Sequence, residues 1–63
     1  MENDNEYYVV TNYKGNPSSI IVSPRDGEDV EDCLKRMKIL GVVKIYDPNQ
    51  WEYDEETCNP RLI

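Results

Sequence analysis

Carboxylates are the main chemical resource of this chain, and histidine is absent from it. The thirteen acids fall mostly in three groups. These are Glu2, Asp4 and Glu6; then Asp26, Glu28, Asp29, Glu31 and Asp32; then Glu52, Asp54, Glu55 and Glu56. Such groups could do three kinds of work: acid–base catalysis by a pair, calcium binding, or presentation of negative charge to a basic partner.

Catalysis by a carboxylate pair needs two groups held at a defined separation in different environments. No spacing here singles out such a pair, and no glycine-rich phosphate loop accompanies the acids. Without histidine, the His-paired nucleophile arrangements and the mixed Cys/His zinc sets are excluded. The two cysteines, Cys33 and Cys58, cannot make a four-cysteine site. A calcium loop needs glycine at its sixth position and glutamate at its twelfth. Counted from Asp47, those positions hold Glu52 and Cys58; counted from Asp26, the sixth is Glu31. The sequence therefore predicts a chain that is not an enzyme, with no catalytic residue, no cofactor and no metal ligand.

The third kind of work fits better. The net charge is −6 over 63 residues. That balance repels nucleic acid and anionic membranes and draws basic protein surfaces. Carboxylates spaced along a surface can also imitate a nucleic-acid backbone and occupy the basic groove of a nucleic-acid-binding enzyme. There is a plainer role for the second group, because acids favour the start of a helix.

Tyr7, Tyr8, Tyr13, Tyr46 and Tyr53, with Trp51, are all the aromatics. Such rings serve interfaces, offering an apolar body and a polar tip, and they also suit pleated strands. The expected partner-binding set is Asp26, Glu28, Asp29, Glu31, Asp32, Tyr46, Glu52, Tyr53, Asp54, Glu55 and Glu56.

The elements that must position these residues follow from pattern. Residues 6–13 are β-branched and aromatic, Lys14-Gly15-Asn16 is turn chemistry, and Ser18–Ser23 forms a second strand between Pro17 and Pro24. Val30, Cys33, Leu34, Met37 and Leu40 share one helical face, with Asp26 as N-cap and Gly41 at the C-terminal end. Val42–Tyr46 reads as a third strand, Asp47-Pro48-Asn49-Gln50 as a turn, and Trp51 onward as a short fourth strand.

The expected fold is α+β, one domain over residues 1–63 with β-β-α-β-β order. Its antiparallel sheet would run 2-1-3-4, with the helix on one face and the other face open. Residues 1–5 and 57–63 are expected to be irregular. Tyr7-Tyr8-Val9-Val10 leaves the inward face of the first strand undecided. The acidic start is no signal peptide and no apolar run reaches membrane-spanning length, so a cytoplasmic protein is expected. Pairing of Cys33 with Cys58 stays open.

Taken together, these features predict a small acidic protein-binding module, an inhibitor or regulator of the kind phages and mobile elements encode, that docks on a basic protein. The alternative is a structural or assembly subunit that forms a homodimer through its sheet.

Overall fold

Strand β1 (Tyr7–Tyr13) and strand β2 (Asn16–Val22) are joined by a turn of two residues, Lys14 and Gly15. Both have positive φ, 53° and 80°, the geometry whose twist matches that of the flanking strands. The computed structural model describes residues 5–63. Of the segment expected to be irregular, residues 1–4 lie outside the described residues. Strand β2 starts earlier than the sequence suggested and includes Pro17. It stands at the sheet edge, where a missing N–H costs no ladder bond.

Burial settles the register of β1. Val9 is fully buried on one face, paired with Ile20, while Tyr7 on the same face pairs with Val22. Tyr8 and Val10 face the other way. Strand β3 (Val42–Tyr46) pairs antiparallel with β1 on its second side, giving the order β2-β1-β3. The register slips between Val10, opposite Lys44, and Thr11, opposite Val42. Val43 is the extra residue of this bulge and is 65% exposed.

Helix α1 (Val30–Arg36) is shorter than its apolar stripe implied, and both expected caps are corrected. Asp29, not Asp26, occupies the N-cap position, and its side chain makes no capping bond. Asp26 sits instead in a turn closed by the Glu28 N–H donating to the Arg25 carbonyl at 2.9 Å, with Gly27 at φ 78°. At the other end Lys38 takes the left-handed conformation, φ 58°. Its N–H donates to the Lys35 carbonyl at 3.1 Å, and the Ile39 N–H to the Leu34 carbonyl at 3.0 Å. These two bonds are the Schellman closure, in which the residue after the left-handed one packs back on the helix. Ile39 therefore joins the core, whereas Met37 and Leu40, expected on the stripe, are 42% and 59% exposed.

Gly41, φ 73°, serves the sheet instead. Its carbonyl accepts the Asn12 N–H at 2.7 Å, and a Cβ there would meet the Asn12 carbonyl oxygen at 2.7 Å. Only glycine lets β3 begin that close to β1.

The expected single sheet of order 2-1-3-4 is not formed. Strand β4 (Trp51–Asp54) pairs with β5 (Asn59–Leu62) in a separate two-stranded ladder, so the segment 57–63, expected to be irregular, contains a strand. The reason is Trp51. After the Asp47–Gln50 turn its ring leaves the β3 edge and packs 5.9 Å from that of Tyr8, with 1% of its surface exposed. Its indole N–H donates to the Glu6 carbonyl at 3.0 Å. A tryptophan buries on the order of 200 Å², which at about 25 cal/mol per Å² is ~5 kcal/mol as an upper bound. Ladder bonds lost to β3 are recovered with β5, so burying the ring decides the arrangement.

The face of the sheet that was expected to be open is thus partly covered. On the helix side Val9, Val22, Cys33 and Leu34 form the core, flanked by Tyr7, Val30, Ile39 and Ile45. On the other side Tyr8 and Tyr46 stack with ring centroids 5.8 Å apart, and Trp51 closes over Tyr8. Both cysteines are free; Cys33 is buried and Cys58 exposed. Among the described residues no helix is long and apolar enough to cross a membrane.

Candidate interaction surface

The two acidic groups within the described residues end up in different settings. Glu2 and Asp4, from the first group, lie outside those residues.

The helix group is largely solvated, with one exception. Asp26, Asp29, Glu31 and Asp32 are exposed, and Glu31 and Asp32 lie in the first turn of α1. Glu28 is not available to a partner. Its two carboxylate oxygens accept the Arg36 Nε–H and Nη2–H at 2.9 and 3.0 Å, and Oε1 also accepts the Arg25 N–H at 3.0 Å. The Arg36 hydrogen bonds, and then the Arg25 amide, hold the Glu28 carboxyl down to about 2. The same contact raises the Arg36 guanidinium above its ordinary value. Glu28 thus ties the pre-helix turn to the last turn of α1, a bidentate pair with a structural task.

The hairpin group has a different geometry. In β4, Trp51 and Tyr53 share one face, their rings in a T-shaped contact at 4.9 Å. Glu52 and Asp54 turn to the other. Glu52 lies opposite Arg61 of β5 and pairs with its guanidinium. Asp54 caps the connecting turn, its Oδ1 accepting the Glu56 N–H at 3.0 Å, while its carbonyl accepts the Cys58 N–H at 2.7 Å. Cys58 takes the left-handed position that closes the turn, φ 59°. Glu52, Tyr53, Asp54, Glu55, Glu56 and Arg61 surround an open recess of about 420 Å³. Tyr53 is half exposed beside it, and its phenol is raised above the ordinary value, first by partial desolvation and then by the nearby Glu6 carboxylate.

Five residues singled out in the sequence, Glu52, Tyr53, Asp54, Glu55 and Glu56, are therefore brought together. The helix acids are not brought to them. Helix α1 lies on the Val9 face of the sheet, whereas the hairpin attaches through Trp51 to the Tyr8 face. Tyr46 is set apart from both, half-buried against Tyr8 with the Lys44 ammonium 5.7 Å from its ring centroid. Arg61 was not among the sequence candidates. Reading 57–63 as irregular removed the strand that places it opposite Glu52. Among the described residues no three or more Cys, Asp or Glu side chains converge to hold a metal ion.

Fold and surface together define an acid-rich α+β chain with, among the described residues, one short helix and two antiparallel sheets. No protein-family model, curated protein or solved structure matches it.

Proposed function

We propose that this chain is a non-enzymatic protein-binding module that docks its β4–β5 end on a basic surface of a partner protein. One observation carries the reading. Asp54, Glu55 and Glu56 line one open recess together with Glu52, Arg61 and the half-exposed Tyr53. Arg61 supports it from within, because its guanidinium already packs against Glu52 at this rim, the kind of contact a partner arginine would make. Tyr53 supplies an aromatic surface on which such a guanidinium can stack. The separation of the helix acids from the hairpin acids favours a local anchor for one basic segment over a long imitation of a nucleic-acid strand.

Calorimetric titration with an arginine-rich peptide tests this. Affinity is expected to fall roughly tenfold or more between about 50 and about 200 mM salt. Reversing Asp54, Glu55 and Glu56 to lysine should remove binding, and reversing Glu31 and Asp32 should not. Salt-indifferent binding, or equal losses from both sets of reversals, would sink the proposal.

A further inference from the structure

The positive charge of this acidic chain is not evenly distributed. Arg36 and Arg61 are paired with Glu28 and Glu52, while none of the four lysines reaches a carboxylate among the described residues. Three of the four stand in or beside β1 and β3 along the chain. Lys44 lies in β3, Lys38 just precedes it, and Lys14 follows Tyr13, whose Cα is close against Gly41. Interleaved with them are exposed apolar side chains: Leu40 at 59%, Val43 at 65%, Tyr13 at 44% and Val42 at 39%. Strand β3 is also an edge strand, so half of its backbone hydrogen-bonding groups have no partner strand.

We infer that the outer edge of β3 is a second interaction surface, which takes an extended peptide segment of alternating acidic and apolar residues as an added strand. Each feature selects this occupant. An unpaired edge with no proline in Val42–Tyr46 offers main-chain bonds to an extended backbone, which neither a lipid surface nor a nucleic acid can use. The exposed valines and Leu40 take apolar side chains, and the unpaired lysines take carboxylates. A second copy of β3 is a poor occupant, because antiparallel self-pairing centred on Lys44 sets like charges opposite each other, and each chain carries a net −6. The same net charge disfavours polyanions at long range, whereas a short segment with a few acids is met by local lysines. This surface is independent of the hairpin recess, and the two can be occupied together.

The test uses isotope-labelled protein and the peptide acetyl-Glu-Val-Glu-Val-Glu-Val-Glu-amide. Amide resonances of Val42–Tyr46 should shift on titration. A peptide N-methylated at alternate residues should fail to bind. K38E and K44E together should weaken affinity roughly tenfold, while the D54K, E55K and E56K changes should leave it intact. The N-methyl peptide needs no variant protein and keeps the inference falsifiable if the lysine changes disturb folding. Shifts confined to residues outside β3 and its flanks, equal shifts of Val42–Tyr46 with a Lys-Val peptide, undiminished binding of the N-methyl peptide, or a dimer of the free chain that protects β3 would each overturn it. So would stronger binding to phosphatidylserine vesicles or duplex DNA than to the peptide.

Discussion

Adjacent residues of β1 look into two interiors built on different plans. Val9 enters a core shared among strand, helix and loop, where Val22, Cys33, Leu34 and Ile39 each contribute a small apolar group. Tyr8 enters a layer of rings in which the one fully buried side chain is Trp51. The first plan distributes its energy, so one truncated side chain leaves several others in place. The second concentrates it in one ring with one hydrogen bond, to the Glu6 carbonyl. The acidic recess stands on the concentrated plan, and the helix acids on the distributed one. The attachment of the proposed docking end therefore rests chiefly on Trp51, with half-buried Pro60 beside Tyr8 as a lesser contact.

The largest expected effect breaks this contrast at its centre. Trp51→Ala removes the ring that anchors β4 and β5 and should cost about 3–5 kcal/mol, which approaches the whole stability expected of a chain this small. Urea unfolding of the variant should lack a folded baseline. Trp51→Phe should refold most of the population while losing the indole donor, at a cost of roughly 1 kcal/mol. If Trp51→Ala unfolds at the wild-type midpoint, the concentrated plan is wrong and the hairpin is held by something else.

A second effect bears on the sheet that both plans share. Gly41→Ala adds a Cβ at 2.7 Å from the Asn12 carbonyl oxygen, at a positive φ, in backbone that cannot withdraw without opening the β1–β3 ladder. A loss of about 2–3 kcal/mol is expected, visible as a lowered urea midpoint. Because β1 carries both interiors, amide exchange should rise in α1 and in β4 alike. A rise confined to one side would show that the two interiors unfold separately.

The same contrast explains what the sequence disclosed. Val30, Cys33 and Leu34 announce the helix core because helical periodicity is local and repeats, and the bounds of β3 were legible because its β-branched run is local too, whereas the bulge that turns Val43 outward was not. The end of α1 was not legible. Gly41 is the residue type that helix ends favour, yet Lys38 takes the left-handed position, since only a turn there returns Ile39 to the core. Strand β5 was hidden for a different reason. Asn59-Pro60-Arg61-Leu62 has no alternation of its own and becomes a strand only by pairing with β4. The departure of β4 from β3 rests in turn on where Trp51 is buried, a long-range fact that no window of sequence contains. Of the candidate site, the hairpin residues from Glu52 to Glu56 were legible as a charge run beside an aromatic. Arg61 was not, and the locking of Glu28 was missed because its partner Arg36 is eight residues away, beyond the spacing-four pairs that a helix advertises.

That locked pair supplies the smallest expected effect and a way to sharpen the contrast by pH. Folding lowers the Glu28 carboxyl from 4.5 to about 2, so the ionised form is favoured in the folded chain. A group depressed in this way adds stability that is complete above its unfolded value and fades as the folded value is approached. The difference in urea midpoint between the wild type and Glu28→Gln should therefore be constant above about pH 5, shrink as pH falls from 4.5, and vanish near 2. Added salt should reduce it, since the pair lies at the surface. Because Glu28 ties the Arg25–Glu28 turn to the end of α1, the substitution should raise amide exchange at Arg25, whose N–H it accepts, and leave Trp51 fluorescence unchanged. A shift in Trp51 emission on Glu28→Gln would mean that the helix side and the hairpin side of the sheet are coupled through β1 more tightly than their separate interiors imply.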